Sequence, residues 1–329
     1  MKILVFGPRD RYDVYRPPFA DEMPVELVFR RPDQTYVQAA QENADARIIF
    51  VDAITDVGPD VMDQLSELKM IHSEGVGYNC IDCQAARERG IYVCNNKGCN
   101  AESVAEHTIM LMLMALRFGI PGHNAVIQGQ QIQMKQKAIA AHAPGLFQCA
   151  VGLVGFGDPA QATARRLASF GCKLYYYPRH RRPPQVEEDF GVTYLPLEEL
   201  TAQCDIISLH CAVTDETREM VDGDFLARMK PNSILVNCGR GDLVDNQALR
   251  KALIDGTIRG AALDTIFPEP TPGDHPLVDL PPEVRDRVVY SSHLGGSSGG
   301  AFAKAHLTMW INARHILNGE RPTNVVNGL

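Results

Sequence analysis

Residues 151–171 read VGLVGFGDPAQATARRLASFG. An apolar stretch with strand character runs into a turn containing Gly155 and Gly157 and then into an amphipathic helical pattern that begins with small Ala160. A strand joined to a helix through glycines is one arm of a strand–helix–strand crossover, so the stretch commits this part of the chain to a parallel α/β sheet. The spacing is G-x-G-x-x-A. Gly155 permits the tight turn, Gly157 lets a pyrophosphate approach the backbone, and Ala160 lets the helix pack closely on its sheet. The helix N-terminus adds amide donors and partial positive charge, which predicts a dinucleotide-binding unit.

The rest of the chain keeps the same rhythm. The runs KILVFG, VELVF, ARIIFV, KMIHS and IYVCN precede residue 100, separated by helical stretches such as YVQAAQENA and CQAARERG. After residue 150 come VGLVGF, KLYYY, CDIISLH, SILVNCG, RGAALD and RVVYSS. Two α/β units are predicted, in keeping with a length of 329 residues. Between them, ESVAEHTIMLMLMALRF (102–118) is apolar around most of its circumference, as a helix buried between domains would be. Its methionines read as packing, because no Cys or His recurs along it at ligand spacing.

Two features of the nucleotide unit stand out. Asp158-Pro159-Ala160-Gln161 has the form of a capping box with proline at the first helical position. That predicts Asp158 as the N-cap, competing with a pyrophosphate for the helix amides. NAD-binding units also carry an acid at the end of the second strand, about 20 residues past the glycines. Here that strand ends at Tyr177-Pro178 and is followed by Arg179, His180, Arg181 and Arg182, while Glu187, Glu188 and Asp189 come too late. The missing acid and the added cations favour NADP(H) over NAD(H), with Arg179 and Arg181 on a ribose 2′-phosphate. The plainer reading is a solvated basic turn.

With 32 basic and 40 acidic residues the net charge is −8, which disfavours nucleic acid or an anionic membrane as a partner. The strongly apolar run Ile109 to Leu116 is too short to span a bilayer, and MKILVFGPRD lacks the core of a signal peptide, so a cytoplasmic location is expected. Nine scattered cysteines predict reduced thiols; Cys80 and Cys83 form a single CxxC with no second pair, so no metal site is expected.

Three further stretches, NCGRGDLVDNQAL, AALDTIFPEP and SSHLGGSS, together with GVGYNCIDCQAARERGI and NAESVAEHT, give the chain a likeness in motif order over nearly its whole length. It resembles the D-isomer-specific 2-hydroxyacid dehydrogenases. The resemblance implies two doubly wound parallel-sheet domains. A Rossmann cofactor domain (100–296) is inserted into a flavodoxin-like substrate domain (1–99 and 297–329), with the reactants in the cleft between them. It implies hydride transfer between a nicotinamide cofactor and a 2-keto acid/D-2-hydroxy acid pair, in a homodimer formed through the cofactor domain.

The residues carry that chemistry in their own right. Arg240 suits a carboxylate and its adjacent carbonyl, and His293 suits proton transfer near neutral pH. Glu269 is the family's carboxylate partner for the histidine; formate dehydrogenases of this fold have glutamine there, because formate oxidation moves no proton. By resemblance, the backbone of Val76 and Gly77 grips the substrate carboxylate, with Val76 also near the cofactor, and Asp264 meets the nicotinamide end. Cys211, Cys238, Gly239, Gly295 and Gly296 line the cofactor, next to Gly155, Gly157, Asp158 and Pro159. Ala212 departs from the family's usual proline. The rival from another class is a dinucleotide-sensing corepressor of the same fold. The substrate itself is not legible: the polar segment 122–147 replaces the arginine-glycine-tryptophan pattern of many relatives.

Overall fold

A computed structural model describes all 329 residues. The chain divides into two compact units, Met1–Asn100 with Ser297–Leu329, and Ala101–Gly296. No single helix is long and apolar enough to cross a membrane.

In the first unit, β1 (Lys2–Phe6), β2 (Glu26–Phe29), β3 (Ile48–Val51), β4 (Met70–Ser73) and β5 (Tyr92–Cys94) form an all-parallel sheet in the order β2-β1-β3-β4-β5. Alternation along β1 shows why both faces are covered. Leu4 and Phe6 pack with Ala39, Ala40, Val61 and Met62, whereas Ile3 and Val5 pack with Met309, Trp310 and Ala313 of the helix Gly299–Asn318. Successive side chains point to opposite faces, so a strand apolar at every position needs a layer on each side.

In the second unit, β6 (Ala150–Val154), β7 (Lys173–Tyr177), β8 (Thr193–Tyr194), β9 (Ile206–Leu209), β10 (Ile234–Asn237), β11 (Gly260–Leu263) and β12 (Val288–Tyr290) are again all parallel. Their order is β12-β11-β10-β9-β6-β7-β8. The chain leaves β6 toward β7 and β8, then returns to pair β9 with the other edge of β6. The strand order therefore reverses between β6 and β9, the crevice where such sheets take ligands.

The helix Ala101–Leu116 packs Val104, Ile109, Leu111, Met112 and Leu116 on this second sheet. Its apolar circumference is not all covered within the unit: Met110 is 42% exposed.

Candidate active site

At the strand reversal, Gly155 has φ +94, and a Cβ there would lie 2.6 Å from the His210 carbonyl carbon and 2.7 Å from the Cys211 amide nitrogen. Only glycine meets both the conformation and the approach of the β6 and β9 ends. Gly157 is different. A Cβ on it would meet nothing within 4 Å, so the start of the helix Asp158–Phe170 is open to a ligand's approach.

The predicted capping by Asp158 is corrected. Gly157 is the N-cap, Asp158 is already in the helix, and its exposed carboxylate accepts no hydrogen bond from the helix amides. An N-cap side chain reaches the amides from extended backbone, and that position belongs to Gly157. Pro159 still removes one donor from the first turn.

The basic turn after β7 is divided among partners. Arg181 donates from Nε to Glu187 Oε1 (2.8 Å) and from Nη2 to Oε2 (3.1 Å), and its guanidinium lies 4.9 Å from the Tyr194 ring centre. The hydrogen bonds from Arg181 and then from the Tyr176 hydroxyl hold the Glu187 carboxyl below its usual range. Arg182 donates to the Phe156 carbonyl at 3.1 Å, bracing the glycine turn. Arg179 lies 3.7 Å from Glu216, with both side chains about 70% exposed, and so keeps its donors accessible.

The predicted acid–base group comes together inside the second unit. Past β10, Asn237 donates from Nδ2 to the Arg240 carbonyl (2.9 Å) and accepts from the Gly239 amide (3.0 Å), shaping the turn that presents Arg240. The half-buried Arg240 guanidinium makes one hydrogen bond, from Nη1 to the Gly239 carbonyl, and no carboxylate lies within ion-pair distance. In a chain with 40 acidic residues that leaves an unneutralised cation suited to an anionic ligand. The next residue, Gly241, sits against the Ile266-Phe267 backbone so closely that a Cβ would come within 2.2 Å of the Phe267 nitrogen. This contact packs the Arg240 turn against the segment leading to Glu269.

His293 Nδ1 lies 2.9 Å and 3.0 Å from the two Glu269 oxygens, and the side chains are 45% and 48% exposed. Donation from Nδ1 to the carboxylate leaves Nε2, which has no partner in the chain, to face a reacting group. His293 holds φ +56, an unusual backbone state for a non-glycine residue. Buried Asp264 fixes it: its backbone carbonyl accepts from the His293 amide at 2.9 Å, and its carboxylate accepts from the amides of Leu294 (2.8 Å) and Gly295 (2.9 Å). His107 Nε2 stands 3.1 Å from the same carboxylate and 2.8 Å from Ser291 Oγ. Sequence reasoning missed His107, Asn237, Gly241 and Ser291, whose work is done through contacts distant in the chain or on the backbone.

Burial raises the thiol of Cys211 to about 11 and that of Cys238 to about 12, so both are protonated at neutral pH and offer no nucleophile.

In the first unit, the turn after β4 is tied down by its carbonyls. Asn95 Nδ2 donates to the Val76 carbonyl (2.7 Å) and Ser73 Oγ to the Gly77 carbonyl (2.6 Å), while Asn96 Nδ2 reaches the carbonyls of Ser73 and Glu74. The amides of Val76 and Gly77 have no acceptor in the chain. Buried Glu74 anchors the turn between His306 Nε2 (2.7 Å) and Arg11 Nη2 (2.5 Å).

Known proteins resemble the chain over most of its length. Residues 109–295 match the family described as D-isomer specific 2-hydroxyacid dehydrogenase, NAD binding domain. The chain is 36% identical over 284 residues to a glyoxylate reductase of Thermococcus litoralis, covering 84% of this chain and 83% of that protein. It is 34% identical over 279 residues to a glyoxylate reductase of Korarchaeum cryptofilum, with 84% and 82% covered. A D-3-phosphoglycerate dehydrogenase of Methanocaldococcus jannaschii is 37% identical over 285 residues; the match takes in 86% of this chain but 52% of that protein, so the chain spans about half its length. Among solved structures, a Thermus thermophilus protein superposes with a TM-score of 0.82 at 30% identity, covering 99% of this chain and 100% of that one. On these matches and on its two all-parallel sheets, the chain belongs to the D-isomer-specific 2-hydroxyacid dehydrogenase family.

Proposed function

We propose that the protein reduces a 2-keto acid to the D-2-hydroxy acid, and catalyses the reverse, with NADP(H) favoured over NAD(H). The observation that carries this reading is the His293–Glu269 pair, with Nε2 unpartnered, on a loop packed through Gly241 against the turn of an acid-free Arg240. Arg240 holds the substrate carboxylate and draws electron density from the neighbouring carbonyl. In the first unit, the free amides of Val76 and Gly77 are donors suited to an anion. His293 delivers a proton from Nε2 to the carbonyl oxygen in reduction and takes it back in oxidation, while Glu269 keeps Nδ1 protonated and the ring oriented. The bound nicotinamide supplies or accepts the hydride.

The residues fit such a cofactor. Gly155 and Gly157, with the first turn of the following helix, offer an open backbone to the pyrophosphate, and the backbones of Cys211, Cys238, Gly239, Gly295 and Gly296 line the rest of its path. Arg179 is the cation with donors free for a 2′-phosphate; Arg181 serves chiefly to hold Glu187. A homodimer through the second unit is supported by exposed Met110 and Phe170 beside a groove formed with Ile109, Leu113 and Met114. Nine cysteines without a disulfide suit a reducing, cytoplasmic location.

The test is loss of NADPH absorbance on mixing with glyoxylate, hydroxypyruvate and aryl pyruvates. Turnover by the parent that collapses in His293→Ala supports the reading. Cofactor binding without turnover of any of these acids refutes it in favour of a sensor.

A further inference from the structure

A cavity of about 560 Å³ opens over the carboxyl ends of β1, β2 and β3, away from every group used above. That volume suits a small-molecule site. Its position in the topology is informative. The chain leaves β1 toward β2 on one side and returns to β3 on the other, so the crevice between β1 and β3 is the reversal point of this sheet, as the β6–β9 crevice is of the second. Phe6 and Gly7 at the end of β1 and Asp52 just past β3 line it.

The charges in the cavity are unbalanced. Arg9 has no carboxylate within ion-pair distance, and its guanidinium is set 4.1 Å from the Phe29 ring centre. Arg30 also lacks an acid; it lies 4.7 Å from the Tyr36 ring centre and gives Nη1 to the carbonyls of Arg31 and Gln34. Arg31 is neutralised by Glu42 and Asp33. Asp52 uses one oxygen to accept the Ile54 amide, leaving the other open. Two cations held on aromatic rings therefore face one carboxylate with a spare acceptor, beside the apolar surface of Phe6 and Phe29.

We propose that this cavity binds a small organic acid that also carries a hydroxyl or ammonium group. The ligand's carboxylate lies between Arg9 and Arg30, and its donor meets the free oxygen of Asp52. Asp52 precedes Ala53, whose methyl group is 2.8 Å from where a Cβ on Gly75 would begin, so the cavity edge lies close to the turn that leads into Val76 and Gly77.

The experiment is calorimetric titration of the intact chain with D-glycerate and with L-serine, using the parent, Arg240→Gln, Arg9→Gln and Asp52→Asn. Arg240→Gln removes the cation assigned to the active site, so the expected result is one saturable event that survives in it and weakens at least tenfold in Arg9→Gln and in Asp52→Asn. Arg9 is exposed, so its replacement leaves folding intact. Absence of saturable binding in Arg240→Gln, or unchanged binding in Arg9→Gln, overturns the proposal. Keto-acid turnover by the parent is measured alongside, so a failure of this site and a failure of the reductase reading are told apart.

Discussion

Gly241→Ala is the sharpest test of how the proposed acid–base pair and the proposed anion-binding arginine are held together. A methyl group at this position begins 2.2 Å from the Phe267 nitrogen and 2.5 Å from the Ile266 carbonyl carbon. Ordinary contact is about 3.5 Å, so the two backbones must part by roughly 1 Å. Overpacking of this kind costs about 1–3 kcal/mol, and Tm falls by roughly 2–4 °C for each kcal/mol in a domain of this size. The functional loss is larger than stability alone explains, because a 1 Å misplacement of catalytic groups costs on the order of a hundredfold. The control is Gly256→Ala. Gly256 sits at φ +72 with open space beyond it, so alanine there brings roughly 1–2 kcal/mol of backbone strain and no clash. Steady-state kinetics with glyoxylate and thermal denaturation of both variants give the comparison. Similar losses in Tm with a large fall in kcat/KM for Gly241→Ala alone are expected. If Gly241→Ala keeps kcat/KM within about threefold of the parent, the loop contact does not position the site.

Four other outcomes are expected. Arg179→Gln weakens NADPH by about tenfold and leaves NADH nearly unchanged, as one charge-assisted phosphate contact is worth about 1.5–3 kcal/mol at most; Arg181→Gln shows little selectivity, and fluorescence titration with both cofactors reads the difference. Asp158→Asn lowers the cofactor dissociation constant several-fold by removing an exposed carboxylate next to the pyrophosphate path; an unchanged constant counts against that role. Glu74→Ala leaves His306 and Arg11 without their shared carboxylate, and chemical denaturation should show a loss of about 3–5 kcal/mol. Burial lowers buried His72 to about 4 from its ordinary 6.5. Its Nδ1 donates to the Ser73 carbonyl and its Nε2 accepts from Asn312, which fixes the neutral form. Because the unfolded chain takes up this proton first, stability is full above about pH 6.5 and falls by about 1.4 kcal/mol per pH unit down to about pH 4. Denaturation of His72→Gln against pH should lack that component.

Much of this was legible in local pattern. Apolar runs such as Ile48–Val51, fully buried, announce parallel strands with helices on both sides, and the Gly155/Gly157 spacing announces a strand–turn–helix. The Glu269–His293 pairing implied by the resemblance matches the observed contact. What failed was register and partnership. A capping box starting at Asp158 and a cap at Gly157 differ by one residue, and the sequence pattern does not report that the chain is still extended at Gly157. Glu187 comes too late in the chain for a ribose acid, and its bond back to Arg181 across six residues is not visible in the local pattern. His107 and Ser291 are 184 residues apart, and nothing local in either predicts their meeting. The outward side of Ala101–Leu116 was hidden for another reason: an exposed apolar surface reads like a buried one in sequence.

The Asp264 hub has a consequence for how the protein changes over generations. Its carboxylate sets the His293 turn through main-chain amides, and Gly241 abuts Phe267 main chain to main chain, so neither constraint depends on which side chains surround the substrate. The proposed proton-transfer pair and the choice of acid are then separable inheritances. On the proposed reading, side chains around the reactant are free to drift or be redesigned toward a bulkier or more polar keto acid, while a substitution at Asp264 or Gly241 disturbs the loop geometry for every acid alike.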